Sequence, residues 1–266
     1  MSHFIVIPRL EVANANAQQV WWMIGPPPVT AYLGFAHALA LKLGVAAHDG
    51  VAIVHHDIQF LGERHWDYGV DTLLPQQFRA ASFIDADDYS DKNKYALSTQ
   101  PSARCSLKAS LVIRFKDDDS FSMDDVPRIL RGARLAGGGI VRHGEARYSD
   151  TTDIAELTKA VGSGFSIVER QDLMVLAEGE RDMLDVILRL TRPGETPDKD
   201  RAWLLPTSLG YIEISPRRRR RHVRGDFPHA YAEALVGLVQ YRSLRDAGLH
   251  FWRYGQPHPH VFVAST

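Results

Sequence analysis

Five consecutive arginines form the part of this sequence best suited to binding a polyanion: Arg217, Arg218, Arg219, Arg220 and Arg221. Arg224, His229 and Tyr231 follow, so that flat side chains able to stack on bases are interleaved with charge. The planar guanidinium group matches phosphate oxygens, and five like charges repel one another unless a polyanion neutralises them. The run therefore predicts contact with RNA or DNA. The alternatives are a solvated loop or, in another setting, a nuclear-import signal.

Three consecutive glycines are a second candidate for phosphate binding. Gly137, Gly138 and Gly139 permit positive φ, which we expect at Gly138, and leave backbone N–H groups open to a phosphate. Arg134 and Arg142 flank them with positive charge. We interpret these five residues as RNA-binding. The alternative is an ordinary tight turn from a helix into a strand.

Histidines offer weaker signs of catalysis or metal binding. His37 lies on a predicted helix, where it is either the general base of a metal-independent ribonuclease or a packed, hydrogen-bonded residue. His55 and His56 are adjacent on a predicted strand and point to opposite faces, which argues against a shared metal ion. The sequence also lacks the phosphate-loop, dinucleotide, serine-elbow and zinc-helix motifs. We expect no catalytic residue, metal or cofactor.

Composition indicates a globular chain with an uneven charge distribution. Of 266 residues, 45% are hydrophobic and 24% charged, which excludes a disordered or fibrous chain. The absence of a long apolar run or of signal-peptide features predicts a cytoplasmic protein without a membrane span. A single cysteine, Cys105, excludes an internal disulfide. The net charge of −1 hides an excess of positive charge between Arg217 and Tyr254.

The elements that would position these residues alternate in a recognisable order. A strand over Phe4 to Ile7 precedes Pro8, which indicates a sheet edge or bulge. The later elements are a helix from Pro28 to Gly44, strands over 51–54 and 106–115, a short helix capped by Asp124, and a strand entered through the glycines. This strand, helix, strand, strand, helix, strand order is typical of the ferredoxin-like (RRM/RAMP-type) fold. We predict an α+β chain with two helices on one face of an antiparallel sheet.

Three regions are predicted along the chain. Residues 1–145 form the ferredoxin-like RNA-binding core, in which 61–103 is polar and irregular. Residues 146–205 form a helical or irregular insertion, with a helix over 182–190 and a loop over 192–200. Residues 206–266 complete the fold with a strand over 209–214, the arginine-rich hairpin or loop, and an amphipathic helix over 230–243.

Two amino-terminal segments resemble a known CRISPR family. One reads Pro-Arg-Leu-Glu-Val-Ala-Asn-Ala-Asn-Ala over residues 8–17, and the other reads Ala-Tyr-Leu-Gly-Phe-Ala-His-Ala-Leu over residues 31–39. They are similar to P-R-L-x-(I/V)-x-N-A-N-A and G-F-x-H-A-L of the Cas-five or Csy-two family. That family, in the RAMP superfamily, supplies a subunit of the subtype I-F (Csy) surveillance complex. Leu-Ala-Gly-Gly at 135–138 and Val-Gly-Leu at 236–238 are shorter matches.

The resemblance implies a non-catalytic role in antiviral defence. It implies a subunit that grips the 5′ handle of the crRNA, caps the filament of backbone subunits and holds the large subunit that inspects target DNA and its PAM. Asn14 and Asn16 match the family's Asn-Ala-Asn motif, where amides hydrogen-bond RNA, and His37, which lies in the second motif, is also expected to bind RNA. An Asx turn is the alternative for the asparagines.

The sequence also departs from the family pattern. Gly-Pro-Pro-Pro at 25–28 replaces a Gly-Phe-Pro turn, and the arginine run is not a feature of ordinary members. The run suggests a variant I-F complex in which this subunit takes over DNA contacts. A repeat endoribonuclease using His37 and a small-molecule enzyme with an incidental arginine run are the competing functions.

Overall fold

A computed structural model describes residues 3–67, 69–76, 78–81, 99–116, 121–151, 153–177, 179–192, 201–220, 225 and 227–266. The chain is mostly antiparallel sheet with a few helices, so the predicted α+β class is confirmed. The α-helices are α1 (Val29–Lys42), α2 (Asp125–Arg131), α3 (Ile154–Val161), α4 (Met183–Thr191) and α5 (Leu244–Ala247), and Gln171–Leu173 form a single 3-10 turn. Within the described ranges, no helix is long and apolar enough to cross a membrane.

Seventeen strands are assigned in the described parts of the chain. They are β1 (His3–Asn16), β2 (Gln18–Val20), β3 (Met23–Ile24), β4 (Gly50–Phe60), β5 (Gly62–Asp67), β6 (Val70–Pro75), β7 (Phe78–Ala81), β8 (Thr99–Ser102), β9 (Arg104–Phe115), β10 (Arg134–Leu135), β11 (Gly138–Arg142), β12 (Arg147–Ser149), β13 (Phe165–Glu169), β14 (Leu204–Glu213), β15 (Ala232–Ser243), β16 (Phe251–His258) and β17 (Val261–Ser265). The pairs β2–β3, β5–β6 and β7–β8 are separate two-stranded ribbons, and the other strands share one large sheet.

The large sheet contains four strands in the order β11-β1-β9-β4, each antiparallel to its neighbour, and the short β10 pairs with the outer side of β11. Beyond them, β4 belongs to a ring of six strands, because both β13 and β16 pair with it. The ring runs through β4, β13, β15, β14, β17 and β16. The fully buried Trp252 joins β16 to β13, since its indole N–H donates to the Ile167 carbonyl at 3.0 Å.

Alternation along the central strands creates two apolar faces. Ile5 and Ile7 of β1 face the main core, which α1 and α2 cover, whereas Phe4 and Val6 face a second cluster. Leu157 of α3 and the α5 residue Leu244 cover that second cluster. Successive strand residues point to opposite faces, so a strand apolar on both sides must be covered on both. The second face of the sheet is therefore only partly free.

Strand β1 is bent by two irregularities. Its register with β9 shifts between Ile7 and Leu10 and again between Val12 and Ala15. Arg9 and Asn14, which lie inside these shifts, have positive φ values of 54° and 56°. An extra residue in one strand of an antiparallel pair forms a bulge and redirects nearby side chains. Pro8 thus precedes a bulge, one of its two predicted settings, and not a sheet edge, because β1 is paired on both sides.

The carboxy-terminal helix predicted over 230–243 is wrong. Residues 232–243 form β15, which pairs with β14 on one side and β13 on the other. Leu238, Val239 and Gln240 are all buried, so both faces of this strand are covered and the alternation typical of a strand is absent. The prediction of an irregular 61–103 is also wrong in part, since β5 to β8 form antiparallel ribbons there.

The smaller helix predictions have mixed outcomes. Helix α4 begins after Asp182, whose carboxylate accepts hydrogen bonds from the backbone N–H groups of Leu184 and Asp185 at 2.9 and 3.2 Å. Helix α2 forms as predicted, but the Asp124 side chain makes no capping hydrogen bond. Residues 193–200 of the predicted loop lie outside the described residues.

Acid should destabilise the chain through His55. Its ring nitrogens lie 2.6 Å from the Tyr32 and Tyr241 hydroxyl groups, and burial lowers its pKa from 6.5 to about 3. Between these values the unfolded chain binds the extra proton, so stability falls as the pH falls, by up to about 1.4 kcal/mol per pH unit from this group. Urea unfolding between pH 7.5 and 5 would measure the slope. His55→Gln should be less stable at pH 7.5 but show a shallower acid slope, and an identical slope would contradict the assignment to His55.

Candidate nucleic-acid interface

The end of β1 and the β10–β11 hairpin bring the predicted asparagines and glycines together. The backbone N–H of Asn16 donates to the Ala136 carbonyl at 2.8 Å, and Gly139 is paired with Ala13. We call this surface the asparagine–glycine end; its residues are Asn14, Asn16, Arg134, Gly137, Gly138 and Gly139. Residues more than 100 positions apart in the sequence therefore share one end of the sheet.

The structure requires glycine at two of the three positions, for two different reasons. Gly137 has a φ of 75° and follows Ala136 with a φ of 50°, as a two-residue hairpin turn requires. Gly138 does not have the positive φ that we predicted, and a Cβ there would lie 2.6 Å from the Ala13 carbonyl oxygen. Gly139 has neither a positive φ nor a close neighbour, since nothing lies within 4 Å of the position that a Cβ would take. The turn connects two strands, and not a helix to a strand as predicted.

The two asparagines have different environments. The Asn16 side chain accepts from the Gln18 backbone N–H at 3.1 Å and donates to the Gln18 carbonyl at 3.0 Å, which is the alternative Asx-turn interpretation. Asn14 is exposed with positive φ, and its carbonyl accepts from Arg104 at 3.1 Å. Among the described residues, the Asn14 amide group has no hydrogen-bond partner. Asn14 is therefore the asparagine with a free amide.

The two predicted arginines beside the glycines also differ. Arg142 donates to both carboxylate oxygens of Glu11, at 2.8 and 3.2 Å, and Lys108 lies 2.9 Å from the same carboxylate. These hydrogen bonds lower the pKa of Glu11 to about 2. Arg134 is exposed and forms no ion pair with any described residue. Arg134 therefore retains a free charge at the asparagine–glycine end, whereas Arg142 shares the Glu11 carboxylate with Lys108.

His37 lies apart from this end. It is exposed on α1, so the interpretation as a packed residue is wrong. Its charge contributes to lowering the pKa of His48, although burial of His48 is the larger cause. His48 precedes the start of β4, where Gly50 pairs with Arg114. The Gly50–Arg114 pair and the Asn16–Arg104 pair lie at opposite ends of β9. His37 is near the first of these pairs, so it is not part of the asparagine–glycine end.

The arginine run lies on the connection between β14 and β15, and we call residues 214–231 the arginine segment. Backbone hydrogen bonds pair Arg218 with His229, at 3.1 and 2.9 Å, and Ile214 with Tyr231 at 2.9 Å. Arg221 and Arg224 lie outside the described residues. No hydrogen bond or ion pair in the described chain joins this segment to the asparagine–glycine end. The predicted residues therefore form two surfaces.

Side chains of the arginine segment are not equally available. Arg217 pairs with Glu213, whose pKa is lowered by hydrogen bonds from His260 and Arg217. The Arg220 guanidinium lies 4.3 Å from the Tyr231 ring centroid, in a cation–π arrangement. Arg218 and Arg219 are exposed, and neither forms an ion pair with a described residue. These two arginines are therefore the freest described charges of the run.

A groove beside the arginine segment is lined by three aromatic residues that no sequence motif marks, Tyr211, Phe227 and Phe262. Its volume is about 630 Å³, and Tyr211, Phe227, Phe262 and Arg217 are among its lining residues. Phe227 is 77% exposed and Tyr231 is 64% exposed. Exposed rings beside cationic side chains provide the stacking surfaces on which single strands bind. No local signal marks Tyr211 and Phe262, because they come from separate strands, β14 and β17.

Comparison with known proteins assigns the chain to a family. A family model described as CRISPR-associated protein (Cas_Csy2) matches residues 5–260. The protein is thus one of the CRISPR-associated proteins. Because the match covers nearly the entire chain, the chain belongs to the Csy2 family among them.

A bacterial relative supports the same assignment. This relative is the CRISPR-associated protein Csy2 of Pseudomonas aeruginosa (strain UCBPP-PA14). It is 25% identical over 292 residues, which cover 90% of this chain and 86% of the relative. Together with the family match, it confirms the type I-F Csy subunit that the amino-terminal motifs predicted.

Proposed function

We propose that this chain is a non-catalytic subunit of a type I-F surveillance complex and that it binds the 5′ handle of the crRNA at the asparagine–glycine end. The observation that carries the proposal is the meeting of the Asn-Ala-Asn and Leu-Ala-Gly-Gly motifs at one end of the sheet. The free Asn14 amide can hydrogen-bond a base edge, and Arg134 can bind a phosphate. The exposed Gly137 and Gly139 let an RNA backbone approach closely.

We further propose that β1, α1, β4, β9, α2 and β11 form a ferredoxin-like unit of the RAMP type. The sheet order β11-β1-β9-β4 supports this, because it is the order 4-1-3-2 when the four strands are numbered along the chain. The packing of α1 and α2 against one face also supports it. Residues 1–145 would be this core, with 146–205 as an insertion and 206–266 supplying ring strands.

The arginine segment is proposed as a second nucleic-acid contact, for RNA or for target DNA. Free Arg218 and Arg219 and the exposed rings of Phe227 and Tyr231 support this, whether the segment is a hairpin or a loop. Backbone subunits and a large subunit are the proposed protein partners. If the arginine segment binds target DNA near its PAM, the complex is a variant in which this subunit takes over DNA contacts.

RNA binding by the purified chain tests the proposal. A fluorescent RNA carrying the repeat-derived 5′ handle should bind tightly, salt-sensitively and without cleavage, whereas an RNA of scrambled sequence should bind more weakly. Handle cleavage that His37→Ala abolishes would replace the proposal with the endoribonuclease function. Equal binding of both RNAs would contradict handle recognition.

Removal of the Asn14 amide should weaken handle binding selectively. Asn14→Gly removes the side chain and keeps positive φ accessible, so the fold should be unaffected. We expect a loss of about 1–3 kcal/mol in handle binding, because an RNA polar group then lacks its partner. Affinity for scrambled RNA should change much less.

The matched variant is Asn16→Ala, which removes the two hydrogen bonds to Gln18. Its main effect should be a lower thermal unfolding temperature. Any loss of affinity should be similar for the handle RNA and the scrambled RNA. If Asn14→Gly weakens both RNAs equally while unfolding normally, Asn14 does not read the handle.

A further inference from the structure

A cleft on the second face of the sheet belongs to neither surface described above. It has a volume of about 550 Å³ and lies where the end of α3 and the start of β13 meet α5. Arg9, Lys159 and Arg245 contribute cationic side chains, and Phe165 contributes an aromatic ring. Small-molecule and cofactor sites occupy about 300–1,000 Å³, so the cleft is large enough for one nucleotide.

The charge of the cleft is not balanced from within. Arg9, Lys159 and Arg245 are exposed, and none of them forms an ion pair with a described residue. No carboxylate occurs among the described residues that line the cleft. Three convergent cations without a counter-charge attract an anion, because their mutual repulsion is then relieved. The unsatisfied charge points to an anionic ligand.

The backbone holds Arg9 at this position in an unusual conformation. Its φ of 54° lies in the left-handed region, which costs free energy for a residue with a side chain. The Arg9 N–H donates to the Ser110 hydroxyl at 2.9 Å. A Cβ atom added at Gly162 would lie only 3.2 Å from a nitrogen of the Arg9 guanidinium. Glycine at this position therefore leaves space for the guanidinium group. The bulge therefore directs Arg9 toward the end of α3.

Two hydrogen bonds hold His56, which lines the cleft, in one orientation. His56 lies 2.7 Å from the Ser163 carbonyl through Nδ1 and 2.6 Å from the Ser110 hydroxyl through Nε2. A carbonyl can only accept, so Nδ1 donates and Nε2 accepts the Ser110 hydroxyl. Burial is the main cause that lowers the pKa of His56, and the charges of Arg9 and Lys108 add to it. Neutral His56 thus links β4, β9 and the segment before β13.

We propose that this cleft binds a nucleotide of a single-stranded nucleic acid, with Arg9, Lys159 and Arg245 on phosphodiester oxygens and Phe165 stacked on the base. Phe165 is 49% exposed, so part of its ring is accessible to a base. An exposed ring next to guanidinium and ammonium groups matches an unstacked base with its phosphate, whereas a duplex keeps its bases stacked. The inference rests on the proposed function in taking the crRNA as its principal ligand, and single-stranded DNA has the same chemistry.

The test measures oligonucleotide binding by the full chain. Fluorescent handle RNA, scrambled RNA and DNA of the handle sequence are titrated at several salt concentrations. Lys159→Gln with Arg245→Gln should weaken binding at least tenfold and lower the salt slope by about 1.4, since each single-strand phosphate contact contributes about 0.7. Lys42→Gln with Arg201→Gln removes two charges outside the cleft and should change binding little.

Phe165 variants separate stacking from packing. Phe165→Leu should weaken binding about 5- to 150-fold, which is the range of affinity that stacking of one base on an aromatic ring provides. Phe165→Tyr keeps an aromatic ring and should bind like the wild-type chain. Arg9→Gln should weaken binding as the other cation variants do. Thermal unfolding of each variant verifies that the fold is retained.

The outcomes separate this inference from handle recognition. If the cleft variants bind RNA more weakly, the result supports nucleotide binding in the cleft. Comparison with the DNA oligonucleotide then shows whether the cleft binds RNA alone or both kinds of single strand. Cleft variants that bind every oligonucleotide like the Lys42/Arg201 control would overturn it, even if Asn14→Gly loses handle preference. If the cleft variants weaken binding while handle and scrambled RNA bind equally, the cleft stands and handle recognition fails. A wild-type chain that binds no single strand would overturn both.

Discussion

Gly138→Val should destabilise the chain by about 3 kcal/mol or more, because its side chain would overlap with backbone atoms. A Cβ at this position would lie 2.6 Å from the Ala13 carbonyl oxygen, 2.7 Å from the Ala15 nitrogen and 2.8 Å from the Ala15 Cα. These are backbone atoms in a strand paired on both sides, so they cannot move aside as a flexible side chain can. Urea unfolding measures the loss directly.

Neighbouring glycines provide the controls for Gly138. Gly139→Val places its side chain in open space and should change stability by less than about 1 kcal/mol. Gly137→Val has room but needs a φ of 75°, so it should show an intermediate loss of about 1–3 kcal/mol. If Gly138→Val unfolds at the same urea concentration as Gly139→Val, the close approach of the hairpin to β1 is not a feature of the protein in solution.

Replacing all five arginines from Arg217 to Arg221 with glutamine should weaken nucleic-acid binding across sequences. Each phosphate that an arginine no longer neutralises should lower the salt slope by about 0.7 on a single strand and by about 0.9 on duplex DNA. If all five arginines bind phosphates, the single-strand slope should thus fall by about 3.5. Binding at a series of salt concentrations gives the slope, and an unchanged slope would make the run a solvated loop.

The structure divides this effect unequally among the arginines. Arg218→Gln with Arg219→Gln should account for most of the weakening, because these exposed groups form no ion pair with a described residue. Arg217→Gln should have a smaller effect, since Glu213 already neutralises part of its charge. A larger effect from Arg217→Gln than from the double variant would contradict this division.

Several parts of the fold could be predicted from local sequence. The Pro28 start and Gly44 stop define α1, and the strands around Val51 and over 106–115 follow from their apolar, β-branched residues. Such signals act within a few residues, so they are readable without the tertiary structure. The Csy2 family, which the match over residues 5–260 shows, could be predicted for the same reason, because the segments 8–17 and 31–39 that resemble it are short and contiguous.

Other features depended on contacts between distant segments. Residues 232–243 have an apolar run that is compatible with a helix, and pairing with β13 and β14 makes it a strand. Likewise, the Asn-Ala-Asn motif does not show which of its two side-chain amides is free. The Asn16 amide is hydrogen-bonded to the Gln18 backbone in an Asx turn, whereas Asn14 lies in a bulge with its amide exposed.

By itself the sequence determined the residue types that we propose for nucleic-acid contact, namely the arginine run, the asparagines and the glycines, since side-chain chemistry does not depend on the fold. Only the tertiary structure decided which of them lie together. It joined the asparagines to the glycines, because β1 and β11 pair, and it separated His37 from both. It also brought Arg9, Lys159 and Arg245 around one cleft from positions as far apart as 9 and 245, a convergence that no spacing along the chain reveals.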